Sequence, residues 1–358
     1  MAWLDRDRTP ARFTVVTSVT SGLVLTAILK TIEAGVSGGA VLMWFALTSA
    51  GVAAISWSAL SVVRRFRERS KRAFLMTSAF SQKYYVASFV QRLHSALDQD
   101  GTELVLKVPD RDYDAGAQSH HLGRLLDRRK DYIGGIIFAS EVPRLRDDLV
   151  LFCEKSRLPV VFTDIEPFEK EADYPANSTF IGYDTGQLGE LAGTWIANRL
   201  RGHPRPYVLI IASREHNSRQ ERCERVLRRE LGDVRIVVDD RCGFMRSRAY
   251  DAVRAHIRQL RPTECLSAIF CTNDEMALGA VDALTPCTPA TKDTFVVGVD
   301  GVQEARALID DVNSPLRATV VQDTHRLAVG VVDQLAKMRR GHPVPRRTML
   351  DAEIYEAQ

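Results

Sequence analysis

The residues best placed to do chemistry in this chain are polar groups that stand where apolar runs stop. The run from Leu266 to Phe270 ends at Thr272-Asn273-Asp274, and Thr294-Phe-Val-Val-Gly-Val ends at Asp300. Ala318-Thr-Val-Val ends in the same way, one residue before Gln322. A helical pattern opens at Glu275-Met276-Ala277-Leu278. Asn273 or Asp274 can cap it, because a short side-chain oxygen accepts from the first unpaired backbone N–H groups. In an open α/β sheet such a strand-to-helix corner faces the ligand crevice, so Asn273 stands where a bound molecule is read. Covalent chemistry is poorly represented by comparison. No nucleophile elbow, phosphate-binding glycine loop or HExxH helix occurs. Cys271 ends a strand near this corner, but no histidine is spaced to activate it. The expectation is a binding module, not an enzyme. The adjacent His120 and His121 fall on a polar helix and read as a solvated face.

These corners need a frame, and the chain supplies one from Ala73 onward. Phe74-Leu-Met-Thr, Glu103-Leu-Val-Leu-Lys-Val, Gly134-Gly-Ile-Ile-Phe-Ala and Pro159-Val-Val-Phe-Thr read as four strands. Helical patterns lie between them at Tyr84 to Leu97, His120 to Arg129 and Leu145 to Lys155. Repeated βα units of this length predict a parallel sheet with right-handed crossovers. After a polar stretch, Glu166 to Ser178, the alternation resumes. Thr179-Phe-Ile-Gly is a short extended segment, and Asp184 can cap a helix from Gly186 to Leu200. Further strands are expected at Tyr207-Val-Leu-Ile-Ile, Val234-Arg-Ile-Val-Val and the three runs already named. Helices are expected at Arg219 to Leu231, Ser247 to Leu260 and Thr324 to Arg340. The fold class is thus α/β, in two parallel-sheet lobes. Lobe one spans about 73–180 and 323–350, and lobe two about 181–322. Polar residues at the strand ends then border a cleft between the lobes.

The first 72 residues have a different texture. Phe13 to Leu29 is uncharged and mostly apolar, at the lower length limit for a spanning helix. Val41 to Val63 is uncharged and long enough to cross a bilayer with some tilt. The sequence therefore predicts two transmembrane helices, about 13–29 and 41–63, as an N-terminal membrane anchor in contact with lipid. Arg6, Arg8 and Arg12 precede the first span, and the run Arg64 to Arg72 follows the second. Basic flanks stay on the cytoplasmic side, so the expectation is a multi-pass membrane protein with its large domain cytoplasmic. Over the whole chain 48 Lys and Arg stand against 45 Asp and Glu. That balance does not argue for a nucleic-acid partner. Six scattered cysteines show no C-x-x-C spacing, so no metal site or cofactor is expected and a reduced compartment fits better than a disulfide framework.

From Ala73 to Gln358 the order of elements resembles the type I periplasmic-binding-protein fold, as in ribose-binding proteins and the ligand-binding domains of lactose-repressor-type regulators. The marks recur in sequence: Ser78-Ala-Phe-Ser-Gln-Lys-Tyr-Tyr, Leu158-Pro-Val-Val-Phe-Thr-Asp164 and Asn217-Ser-Arg-Gln-Glu-Arg222. Then come Phe244, Asn273-Asp-Glu-Met-Ala-Leu-Gly, Val297-Gly-Val-Asp300-Gly301 and Gln322. The resemblance implies a sugar or similar small polar ligand held in the cleft. Tyr85 and its neighbour Tyr84 match the aromatic of the first loop, and Phe244 the aromatic of the second lobe. Paired aromatic rings suit the apolar C–H faces of a sugar. Asp164, Asp300, Asn273, Gln322 and Arg222 match the polar groups that fork onto hydroxyls, with Arg219 one helical turn from Arg222. Ser78 and Gln82 match lesser polar positions. Three residues depart from the ribose-binder pattern: Ile165 replaces a basic residue, Ala139 an asparagine, and Arg225 a glycine. A ligand less hydroxylated than a pentose, or larger, fits those departures. The resemblance leaves two uses for lobe closure, delivery to a permease or signalling by a membrane-tethered sensor.

Overall fold

A computed structural model describes residues 72–357, apart from 80–83, 141, 215–216 and 286–287, together with a few helical residues between Ser49 and Ser58. The chain divides into two units, Met1–Lys71 and Arg72–Gln358. Both expected membrane spans fall largely outside the described residues. Among the described residues no helix is long and apolar enough to cross a membrane.

The second unit contains two six-stranded sheets. Lobe one holds β1 (Arg72–Met76), β2 (Glu103–Lys107), β3 (Gly134–Phe138), β4 (Val160–Thr163), β5 (Ser178–Tyr183) and β11 (Arg347–Leu350). Their spatial order is β11-β5-β4-β3-β1-β2, and every pairing is parallel. Lobe two holds β6 (Tyr207–Ile211), β7 (Arg235–Asp239), β8 (Ala268–Cys271), β9 (Phe295–Asp300), β10 (Leu316–Val321) and β12 (Glu353–Glu356). Its order is β12-β10-β9-β8-β6-β7, with β12 antiparallel to β10. The central strands are apolar throughout because helices cover both faces of each sheet. In lobe one, helices α1 (Tyr84–Gln99) and α9 (Thr324–Arg339) pack together, as do α2 (Ala115–Asp127) and α3 (Val142–Ser156). In lobe two, α4 (Thr185–Leu200) packs on α5 (Asn217–Leu231), and α6 (Arg246–Gln259) on α7 (Asp274–Ala283). A short helix, α8 (Gln303–Asp310), follows β9.

Three segments pass between the lobes: β5 to α4, β10 to α9, and β11 to β12. An aspartate caps each helix that begins at a crossing. Asp184 accepts from the backbone N–H of Gly186 at 2.8 Å and of Gln187 at 3.1 Å. Asp323 accepts from His325 at 2.8 Å and Arg326 at 3.0 Å. The Tyr183 hydroxyl donates to the Asp323 carbonyl at 3.2 Å, tying two crossings side by side. The lobe boundary thus lies after Tyr183, so the Thr179 segment is part of a buried strand of lobe one. The last strand returns to lobe two. β11 and β12 went unread in the sequence because Arg347-Thr-Met-Leu and Glu353-Ile-Tyr-Glu form no apolar run, and α8 because it is only eight residues long.

Candidate functional site

The carboxyl ends of the strands point toward each other across the crossings, and ten of the described residues line one cavity there. Ser78, Tyr85, Val86, Tyr113 and Asp164 come from lobe one; Arg219, Phe244, Asn273, Asp300 and Gln322 come from lobe two. Nine of the ten sequence candidates fall among the described residues and can be placed on this list or off it. Ser78, Tyr85, Asp164, Phe244, Asn273, Asp300 and Gln322 are on it, while Arg222 is not. Tyr84 is 59% exposed and turns away. Gln82 lies outside the described residues.

The arginine of the cavity is Arg219. The buried stripe of α5 runs through Arg219, Cys223, Val226 and Leu227, and Arg222 falls off it. Arg222 is exposed, its aliphatic stem lying along α4 at Gly186. Gly189 of α4 makes the difference. A Cβ there would stand 1.9 Å from the Arg219 carbonyl, so only glycine lets the two helices approach this closely. That approach sets the Arg219 side chain, 2% exposed, above the strand ends. Its Nη1 donates to the Thr272 carbonyl at 2.8 Å and stands 3.7 Å from Asp300 Oδ1. Gln322 Nε2 donates to the same carboxylate oxygen at 2.8 Å. Asp300 thereby gathers an arginine and an amide onto one wall of the cavity.

Asn273 is the cap of α7, its side-chain oxygen accepting from Met276 N–H at 3.0 Å. The cap fixes the amide plane and leaves the side-chain NH2 end as a donor on the lobe-two wall. Asp274, the other capping candidate, faces the opposite way and is fully buried. Its carboxyl accepts from Thr319 Oγ1 at 2.7 Å and from Val302 N–H at 2.8 Å. Burial, followed by the nearby Asp300 charge, holds Asp274 well above the ordinary carboxylate range. Asp274 therefore braces β10 and the loop after β9 from behind the cavity. Gly298 is required for this, since a Cβ there would meet Asp274 Oδ1 at 2.1 Å.

On the lobe-one wall, burial together with Asp164 and Asp300 pushes the Tyr85 hydroxyl well above its ordinary range. It stays protonated and serves as a donor. Tyr113, in the loop after β2, carries no sequence mark. Its ring meets Phe244 at a centroid distance of 5.6 Å and an angle of 43°. Its backbone N–H donates to the Ser78 carbonyl at 2.7 Å. The signal that finds it is conformational. Among the described residues six non-glycine residues have positive φ, and four of them, Tyr113, Asp164, Phe244 and Asp300, line this cavity. Such conformations cost about 1–3 kcal/mol each and cluster where function fixes the backbone.

The cavity measures about 30 Å³. That is room for a water or two, far short of the several hundred Å³ of a usual small-molecule pocket. Larger hollows exist, such as one of about 550 Å³ beside Arg111 and Arg144. It lies on the surface of lobe one alone, where the ends of the two sheets do not converge. Cys271 sits beneath the cavity, fully buried, and burial holds its thiol well above its ordinary value. A protonated thiol without access is no nucleophile. Of the three departures from the ribose-binder pattern, Ala139 is fully buried, Ile165 half-buried and Arg225 exposed, and none lines the cavity.

Residues 73–343 match the model of a family described as periplasmic binding protein domain. Among curated proteins, the HTH-type transcriptional repressor PurR of Mannheimia succiniciproducens is 26% identical over 278 residues, 77% of either chain. The ribose import binding protein RbsB of Escherichia coli is 32% identical over 93 residues, 26% of this chain and 30% of its own. Solved structures agree on the fold. A periplasmic solute binding protein from Actinobacillus succinogenes with bound D-allose superposes with a TM-score of 0.70 at 17% identity. It covers 80% of this chain and 97% of that one. A solute binding protein from Bacillus halodurans with bound myo-inositol gives 0.69 at 18% identity, with 80% and 94% covered. The chain belongs to the periplasmic binding protein domain family, with the two-lobed type I α/β fold.

Proposed function

We propose that this chain binds a sugar or similar small polyol in the interlobe cavity and closes its lobes around it. The observation that carries this reading is the distribution of unmet polar atoms. Among the described residues, the buried side-chain atoms without a hydrogen-bond partner are Thr77 Oγ1, Thr163 Oγ1, Arg219 Nε, Thr272 Oγ1 and Glu275 Oε1. The three threonines stand at the carboxyl ends of β1, β4 and β8, and Arg219 lines the cavity itself. Buried polar atoms are nearly always paired. Arg219 is the one of these residues that lines the cavity, the threonines coming directly before its lining residues Ser78, Asp164 and Asn273, and the unmet Arg219 Nε supports a ligand that brings a hydroxyl group to it. Carboxylates at Asp164 and Asp300, donors at Arg219, Asn273 and Tyr85, and the ring of Phe244 complement a cyclic polyol. The relatives with bound allose and myo-inositol support the same class. Among the described residues no group in the cavity has the character of a nucleophile with its base, which supports binding without catalysis as the reading.

The cavity is too small to admit a sugar as it stands, so entry proceeds by opening at the three crossings, the hinge motion of a two-lobed binder. The N-terminal segments are read as a membrane anchor in contact with lipid, and the basic run Arg64 to Arg72 supports a cytoplasmic position for the lobes. That charge pattern favours a second reading over delivery to a permease. In it the chain is a tethered ligand sensor whose closure is signalled to a partner, without DNA binding. Thermal-shift measurements on the full chain with pentoses, hexoses, inositols and nucleosides test the ligand class, since a ligand of the native state stabilises by mass action. A rise in Tm with a polyol supports the reading. Stabilisation by a non-hydroxylated ligand alone overturns it.

A further inference from the structure

We propose that Glu275 positions the closed lobes: its carboxyl group, carried by lobe two, docks on the first turn of α1 in lobe one, and closure takes up a proton there. The inference needs the two lobes to open and close, and does not depend on the ligand being a sugar.

Glu275 is the second residue of α7, immediately past Asn273 and Asp274, yet it lines no part of the cavity. Its exposure is only 5%. The carboxyl group accepts from the backbone N–H of Tyr84, the first residue of α1. That donor is one of the unpaired N–H groups at a helix start, where the helix dipole favours negative charge. The other oxygen, Oε1, finds no partner among the described residues. A glutamate at the start of an exposed helix would be solvated. This one is shut in, and its hydrogen bond to Tyr84 sets it against the start of α1 in the other lobe.

The charged groups facing it, among the described residues, are mostly acidic. Asp300 at the end of β9 and Glu304 of α8 oppose its ionisation. Asp274 precedes it on its own helix. Arg246 of α6 favours ionisation, and it is already held by Asp282 at 2.8 Å and Glu304 at 2.9 Å. Burial first, then the charges of Asp300 and Glu304, push the Glu275 carboxyl up to about 7 from an ordinary 4.5, against the opposing pull of the Tyr84 hydrogen bond and Arg246. With the lobes apart the carboxyl returns to water and to its ordinary value. Closing therefore raises its proton affinity. Sign follows from linkage: the closed form is favoured as pH falls from about 7 toward 4.5, by at most tenfold per pH unit for one proton. Above pH 7 both forms are ionised and this contribution is constant. Protonation keeps the carbonyl oxygen as acceptor for the Tyr84 N–H, so the contact survives while the charge beside Asp300 is removed.

The test is single-molecule energy transfer on the full chain, with dyes on bio-orthogonal residues at Lys130 of lobe one and Gln259 of lobe two, both exposed. The ratio of closed to open molecules should rise as pH is lowered from 8 to 5. Glu275→Gln should make that ratio independent of pH, with folding checked by circular dichroism. Arg246→Gln removes the opposing cation and should move the transition to higher pH. A flat profile in the parent protein, or an unchanged profile in the Glu275→Gln variant, overturns the proposal. Should that variant fail to fold, a transition that stays in place or moves to lower pH in Arg246→Gln overturns it instead.

Discussion

Tyr113 of lobe one and Phe244 of lobe two meet across the cleft, 5.6 Å between ring centroids, and both do so from left-handed backbone conformations. Their φ values are 60° and 59°, where a side chain larger than glycine is strained. Two strained aromatic residues from different lobes, packed on one another beside a polar cavity, are a contact that opening of the lobes must break.

This pair gives a way to separate stability from binding. Tyr113→Gly relieves about 1–2 kcal/mol of backbone strain and removes a half-buried ring contact worth about 0.5–1.5 kcal/mol. The two effects oppose, so the unfolding free energy should change by less than about 1 kcal/mol. Affinity for a stabilising polyol, measured by calorimetry, should fall at least tenfold. Phe244→Ala differs because that ring is 2% exposed, and its loss should cost about 3–5 kcal/mol of stability. Equal affinity in Tyr113→Gly and the parent protein would remove Tyr113 from the site.

The identity of the working arginine yields a second prediction. Arg219 and Asp300 are 2% and 8% exposed, and removing either leaves a buried charge behind. Arg219→Met should destabilise by about 3–5 kcal/mol in urea unfolding. Arg222→Ala, at an exposed position, should change stability by no more than about 0.5 kcal/mol. The reverse ranking would return Arg222 to the cavity.

The sequence carried the βα alternation and most of the cleft, because both are written in local patterns. Apolar runs stop at polar residues, and Asn273, Asp300 and Gln322 stand at those stops. Tyr113 could not be read that way, since its role comes from loop geometry and contact with a residue 131 positions later in the chain. Arg219 and Arg222 are one turn apart, and what separates them is the approach of α4 at Gly189, a tertiary fact. Asn273 and Asp274 were equivalent caps in sequence. Only the packing of Gly298 against Asp274 shows which of them turns to the cavity.

Gly189 offers a third test. A methyl group placed 1.9 Å from the Arg219 carbonyl cannot be accommodated without parting α4 from α5. Gly189→Ala should cost about 1–3 kcal/mol as an overpacked contact. Because Arg219 sits at that contact, ligand-induced stabilisation should fall with it. Gly202→Ala is the contrast at an open, positive-φ glycine, where nothing stands within 4 Å of the added methyl. It should lower Tm while leaving ligand-induced stabilisation intact. Loss of both properties in both variants would show that Arg219 is not specifically affected.

The last prediction concerns the side of the membrane. Arg6, Arg8 and Arg12 precede the first apolar segment, and six of the nine residues from Arg64 to Arg72 are basic. Between the segments the basic residue is Lys30, close to Glu33. Lys and Arg near short loops set orientation, and moving the basic run outward would oppose the membrane potential by about 2.3 kcal/mol per charge per 100 mV. If only the second segment inserts, the same run still holds the lobes inside. Cysteine accessibility reads this directly. Cys153, Cys223, Cys242 and Cys271 are buried, while Cys265 is exposed on lobe two. In a Cys287→Ser background, since Cys287 lies outside the described residues, a membrane-impermeant maleimide should leave Cys265 unmodified in intact cells and label it after lysis, and Cys265→Ser should abolish that signal. Labelling of Cys265 in intact cells would put the lobes outside and favour delivery to a permease over sensing.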